Sequence, residues 1–237
     1  MAIIDKHKHV KIDKEFSDKH VALFSYLDKQ GIDVEVSDNF EEFNSFIKQL
    51  PKSDYPYNPD EFFGGSMLPD ILDKTFALYL KKGDTIIGTY AARELRFNEF
   101  YIEFTNWCED GYYKLEENGK ELSESILYKP GRHMYSSCQW VHKDHRGKKL
   151  GMALDNLKKN ICFDVFEADT NYCFHKPQFA DYHIKGLHYD ESMWMLTVPK
   201  GDISDGIGKE KDKSYNVAFV SKESWKNKLD DVRKLYV

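Results

Sequence analysis

The run from His133 to Phe166 constrains this chain most. "HMYSSCQWV" is rich in strand formers, "HKDHRGKKLG" follows as a loop, and "LGMALDNLKKNICFDVF" repeats Leu150, Leu154, Leu157 and Ile161 on one helical face. A strand that passes through such a loop into a helix gathers unpaired amide donors and the positive end of the helix dipole in one place. Glycine lets the backbone approach a ligand closely, and Arg146, Lys148 and Lys149 add positive charge. The unit therefore suits a phosphate-bearing ligand. It is not the phosphate loop of NTPases, because Met152 rather than lysine follows Gly151, and it does not read GxGxxG.

The rest of the chain supplies a sheet for this unit. Residues 16–31 place Val21, Leu23, Phe24 and Leu27 at helical spacing with Gly31 as a stop, and "IDVEVS" reads as a short alternating strand. "SDNFEEFNSFIKQL" predicts a helix, with cap-type residues, Glu41 and Glu42 in its first turn, and Phe40, Phe43, Phe46 and Ile47 in phase. Residues 51–65, with three prolines and two glycines, read as a loop of the kind that lines sites. "KTFALYLKKGDTIIGTYAAREL" predicts an antiparallel hairpin turning at Gly83-Asp84.

Residues 97–131 are irregular. Beyond the central helix come "TNYCF" as a strand, "PQFADYHIKG" as a short helix and "ESMWMLTV" as a strand. A charged loop at 199–213, the strand "YNVAFV" and a helix opening with a capping-box pattern at "SKES" complete the chain. This order predicts an α/β (α+β) fold with a mixed, largely antiparallel sheet flanked by helices. We divide it into an amino-terminal extension at 1–30, a domain at 31–221 with an insertion at about 97–131, and a carboxy-terminal helix at 222–237.

Charge and cysteine usage narrow the function. The net charge of -6 and pI of about 5.9 give no global basic field, so nucleic acid is not the expected partner and a cationic one fits better. Four scattered cysteines without a CxxC pair suit a reducing, cytoplasmic setting, and no signal peptide or membrane span is read. Cys138 and Cys173 read as core thiols, and Ser136 and Ser137 lack a nucleophile elbow. "HKH" at 7–9 and "HKDH" at 142–145 lack cysteine partners or an HExxH frame, so no metal site is expected.

Arg146-Gly147-Lys148-Lys149-Leu150-Gly151 resembles the coenzyme A signature of the GNAT acyltransferase superfamily: Arg or Gln, two residues, Gly, one residue, then Gly or Ala, after a strand. Lys149 stands where that family usually has glycine. Downstream, "DYHIKGL" resembles the family's Tyr-x-x-x-Gly-Phe, with Tyr182 and Gly186 in place, Leu187 for Phe, and His175 where an Asn is usual. The resemblance covers roughly residues 32–198 in element order.

It implies acetyl-CoA or another acyl-CoA with its pyrophosphate on Arg146, Gly147, Lys148, Lys149, Leu150 and Gly151, and its pantetheine beside Trp140 and Val141. It also implies Tyr182 as general acid, since a phenol stays protonated at neutral pH. The alternative for Tyr182 is an ordinary half-buried aromatic. The general base is not identified: Tyr135, Ser137 and Gln139 share one strand face without a strong base, leaving His133, His142 and Glu103. The function implied is an N-acyltransferase, acting on a small amine or a protein lysine by direct attack in a ternary complex. The rivals are a catalytically inactive coenzyme A-binding or partner-binding regulator, and an acyltransferase acting on aminoacyl-tRNA. Exposed aromatic strands near the carboxy terminus would allow a homodimer.

Overall fold

Gly83, at φ 58°, turns the chain between two long strands that pair antiparallel, β3 (Thr75–Lys82) and β4 (Thr85–Leu95), as its Gly-Asp signal predicts. The computed structural model describes residues 3–8, 11–51, 75–95, 114–115, 131–198 and 213–237. Most of the expected loops at 51–65 and 199–213 and of the insertion at 97–131 lies outside the described residues.

The hairpin joins β1 (Ile3–Lys6), β2 (Asp33–Ser37), β5 (Lys114–Leu115), β6 (His133–Val141), β7 (Thr170–His175), β8 (Glu191–Val198) and β9 (Lys213–Ser221). Among the described residues these make one nine-stranded sheet, ordered β1-β2-β3-β4-β6-β7-β9-β8-β5. The β1–β2 and β6–β7 pairs are parallel and the others antiparallel, so the sheet is mixed and largely antiparallel, as expected.

Among the described residues five α-helices cover it: α1 (Lys14–Lys19), α2 (Val21–Asp28), α3 (Phe40–Gln49), α4 (Leu150–Asn160) and α5 (Lys222–Lys234). Leu23, Phe24 and Leu27 of α2, Leu150, Leu154 and Leu157 of α4, and Trp225 and Val232 of α5 share one core with Val34, Leu78, Leu80 and Tyr90 of the sheet. On the opposite face α3 sets Phe43 against Tyr79, with ring centroids 5.9 Å apart.

Three local expectations change. The helix expected over 16–31 is two, broken at His20, whose buried ring reaches Asp164 Oδ2 at 2.8 Å; Val21 is thereby turned outward and is 59% exposed. Strand β2 does not alternate in burial, since Glu35 is buried on the face opposite Val34 and Val36. Its carboxylate lies 2.7 Å from Lys81 Nζ and 3.1 Å from Lys6 Nζ. At α5 the Ser221 Oγ accepts from the Ser224 amide, but the reciprocal half of the box comes from elsewhere: Asp190 Oδ2 accepts from the Ser221 amide at 3.0 Å.

Candidate active site

The site begins where two strands part. Residues His133–Ser136 of β6 pair with Thr170–Cys173 of β7, and that pairing stops there, while β6 runs on beside β4 to pair Val141 with Gly88. The last five residues of β6 thus keep one sheet edge open among the described residues. Cys138 takes φ 60°, placing Cys138 and Gln139 of β6 opposite the single Tyr90 of β4, a bulge. The inserted residue reverses the alternation beyond it. Trp140, not Gln139, therefore continues the face of Tyr135 and Ser137, and packs edge-on against Phe46 of α3 with centroids 5.7 Å apart. Gln139 turns to α4, where its Nε2 donates to the Gly151 carbonyl at 2.6 Å. The shared face expected for Tyr135, Ser137 and Gln139 is corrected accordingly.

The loop that follows is built by two left-handed residues. Gly147 takes φ 79° and Lys149 takes φ 50°, ψ 13°, and α4 starts at Leu150 with the Lys149 carbonyl accepting from the Ala153 amide at 2.9 Å. Glycine adopts that conformation freely, whereas a side chain there costs about 1–2 kcal/mol. The conformation that glycine would favour is thus kept with lysine in its place. No side chain caps the first turn of α4, and Arg146, Lys148 and Lys149 are exposed, with Arg146 Nε donating to the Val141 carbonyl at 3.0 Å.

A cleft of about 500 Å³ opens between the loop and the parted strand. Of the nine residues expected from the sequence, Trp140, Val141, Arg146, Gly147, Lys149, Leu150, Gly151 and Tyr182 line it. Lys148 does not; its carbonyl instead accepts from the Tyr26 hydroxyl. Gln139 and Met152 line the cleft unforeseen, and only the bulge puts Gln139 there.

Tyr182 reaches the cleft from a different segment. The expected short helix is a 3₁₀ turn (Pro177–Phe179) followed by a π turn (Tyr182–Gly186). A Cβ on Gly186 would come within 3.0 Å of the Tyr182 ring, so the glycine leaves room for the ring to lie on its own turn. A Cβ on Gly151 would lie 3.7 Å from the Tyr182 hydroxyl, which puts that oxygen over the first turn of α4. The side chain is 43% exposed, and burial of its remainder, then the nearby Asp155 carboxylate, raises the phenol above its ordinary pKa. Next to it His183 stacks on His175 with centroids 3.9 Å apart, and burial pushes His183 down to about 4.

The candidate bases separate. His133 is buried against Tyr172, seven residues up the strand from Trp140, or about 23 Å along an extended chain. His142 stands edge-on to Trp140 at 5.8 Å, its Nδ1 accepting from the Asp144 amide. Glu103 lies outside the described residues.

Behind the cleft α4 is buried all round, which its hydrophobic pattern does not announce. Lys158 Nζ donates to Asn171 Oδ1 at 2.5 Å and to the Tyr189 hydroxyl at 2.9 Å, and lies 3.2 Å from Asp155 Oδ1. Lys159 Nζ lies 2.7 Å from Asp155 Oδ2, donates to the Leu187 carbonyl and sits 3.7 Å over the Tyr189 ring. The two ammonium groups hold Asp155 down at about 2 against the opposing effect of its burial; desolvation lowers Lys159 to about 8.

No family model and no curated protein matches the chain. Solved structures do. The polyamine N-acetyltransferase of Drosophila melanogaster, an enzyme that catalyses formation of N-acetylagmatine, matches with 13% identity and a TM-score of 0.50, over 80% of this chain and 100% of that one. Arabidopsis thaliana NAA60 in complex with acetyl-CoA matches with 11% identity and a TM-score of 0.47, over 80% and 98%. FeeM, an N-acyl amino acid synthase from uncultured soil microbes, matches with 8% identity and a TM-score of 0.39, over 92% and 91%. At such identities the likeness is one of fold. The chain has the fold of the GNAT acyltransferases.

Proposed function

We propose that the protein is an N-acyltransferase that moves an acyl group, most simply acetyl, from acyl-coenzyme A to an amine. The observation that carries this reading is the convergence of the open edge of β6, the uncapped first turn of α4 and the Tyr182 hydroxyl on one cleft. In this reading residues 31–221 form the catalytic unit, and the segments at 1–30 and 222–237 complete its core.

The residues present fit the coenzyme. The first-turn amides of α4, with the guanidinium of Arg146 and the ammonium of Lys149, would hold a pyrophosphate. The edge of β6 at Trp140 and Val141 offers backbone to an extended pantetheine arm. Bound there, acyl-coenzyme A would supply the acyl group as a thioester. Tyr182 holds a proton at Oη above Gly151, and its raised pKa keeps that proton in place at neutral pH, available to a departing sulfur.

The net charge of -6 favours a cationic acceptor, a small amine or a lysine side chain, and the polyamine acetyltransferase of the same fold acts on such a substrate. A second reading has one observation in its favour. Among the described residues lining the cleft there is no carboxylate and no imidazole, as a coenzyme-holding protein without catalysis would have it.

Thiol release from acetyl-CoA, followed with a panel of polyamines, agmatine and a lysine peptide, tests the proposal. Turnover is expected with at least one of them, and Tyr182→Phe should lower kcat by about a hundredfold with little change in KM for acetyl-CoA. Binding of acetyl-CoA without turnover on any amine would favour the second reading.

A further inference from the structure

Lys149 holds a left-handed backbone at the point where the loop meets α4, and two segments remote in sequence grip the chain there. From α2, the half-buried Tyr26 donates its hydroxyl proton to the Lys148 carbonyl. From the end of α5, the Leu235 carbonyl accepts from Lys149 Nζ at 3.3 Å. The two grips touch each other, since the Tyr26 and Tyr236 rings lie 5.1 Å apart between centroids. They are also anchored to the helix that the loop feeds, because Asn156 Nδ2 of α4 donates to the buried Tyr236 hydroxyl at 2.6 Å. Tyr26, Leu235 and Tyr236 do not line the cleft; Tyr26 reaches the loop through the Lys148 carbonyl and Leu235 through the Lys149 ammonium group.

We propose that Tyr26 and the Leu235–Tyr236 terminus are positioning residues that clamp the coenzyme loop, holding lysine in the conformation a glycine would take unaided. A non-glycine residue resists the left-handed region. Without the clamp the segment at 148–149 would relax toward right-handed or extended backbone, and the first-turn amides of α4 would lose their common direction. The tyrosine hydroxyl acts on the Lys148 carbonyl, the peptide group that must rotate if Lys149 leaves φ 50°. The same bond contributes to coenzyme affinity by removing an ordering cost from binding. This inference rests on the acyl-coenzyme A reading of the cleft.

The test is a cycle of four proteins: wild type, Tyr26→Phe, Lys149→Gly and the double variant. Each is titrated with acetyl-CoA by calorimetry and unfolded in urea. Tyr26→Phe is expected to weaken acetyl-CoA binding about fivefold or more in the wild-type background and less than about twofold in the Lys149→Gly background, because glycine needs no clamp. A tyrosine that serves packing alone would lower the urea midpoint alike in both backgrounds and leave affinity unchanged; that result, or an equal loss of affinity in both, overturns the clamp. If the wild type binds no acetyl-CoA, the reading of the cleft fails and the urea cycle judges the clamp by itself. A larger midpoint loss from Tyr26→Phe in the wild-type than in the Lys149→Gly background then supports it, and equal losses overturn it.

Discussion

Two lysine pairs ten residues apart in sequence meet opposite fates. Lys148 and Lys149 stand exposed on the loop beside the cleft, Lys148 held by its carbonyl and Lys149 by its ammonium group, whereas Lys158 and Lys159 are fully buried around Asp155. The hydrophobic pattern of the sequence does not separate the two pairs. What separates them is where α4 lies: its first turn ends at the parted strands, and its second half is enclosed by β7, α5 and the turn that carries Tyr182. Charge at the cleft is exposed, where a ligand can meet it. Charge behind it is held within the protein by Asp155 and by neutral hydrogen-bond acceptors, and through the Leu187 carbonyl it ties the helix to the end of the turn bearing Tyr182.

Removing the buried anion breaks this contrast most severely. Asp155→Ala leaves two ammonium groups in the core without a counter-charge, and urea unfolding at pH 7 should show a loss of about 3–5 kcal/mol. A buried pair that behaved like a surface pair would lose less than about 1 kcal/mol.

A pH series probes the same cluster more gently. Lys159 is lowered to about 8 in the folded protein, below its ordinary value, so between pH 8 and 10 the unfolded chain binds more protons than the folded one. Stability relative to Lys159→Met should therefore rise across that window by up to about 1.4 kcal/mol per pH unit. Below pH 8 both states are protonated and the slope vanishes. Above about pH 10.5 Lys159 is deprotonated in both states and the difference levels off, while the buried Tyr90 and Tyr189, whose pKa values are raised, lower the stability of both proteins alike, because the unfolded tyrosines then lose protons that the folded ones keep. A flat difference from pH 8 to 10 would mean that Lys159 titrates as a solvated lysine.

The exposed cations of the loop should respond in affinity rather than stability. Arg146→Ala and Lys148→Ala should each shift unfolding by less than about 0.5 kcal/mol. Of the two, Arg146→Ala should weaken acetyl-CoA binding more, because Arg146 lines the cleft and Lys148 engages the loop only through its carbonyl. Equal effects on binding would show that general positive charge, not the position of the side chain, matters there.

These differences mark how far the sequence could be read. The hairpin at Gly83 and the strand–loop–helix unit were legible because each is a local signal, a turn dipeptide and a change of hydrophobic period, whereas the Tyr182–Gly186 spacing was read from its resemblance to the GNAT pattern. The break at His20 was not, because its cause is Asp164, 144 residues away in sequence. Nor was the bulge at Cys138, whose backbone is left-handed without a glycine to announce it, and with the bulge went the direction of Gln139. The burial of Lys158 and Lys159 escaped the helical pattern for the same reason: the apolar stripe of α4 shows one buried face, and the second is set by α5 and the 182–187 turn, which arrive later in the chain.

The most direct test of the central claim is a calorimetric titration of acetyl-CoA into the wild-type protein and into a double variant, Arg146→Ala with Gly151→Trp. A Cβ at position 151 has ordinary room, so the indole would fill the cleft beside Tyr182 without forcing the backbone. Micromolar binding by the wild type, lost in a variant that still unfolds cooperatively, is the expected result. No binding by the wild type, or binding that the variant retains, would contradict the placement of the coenzyme on this cleft.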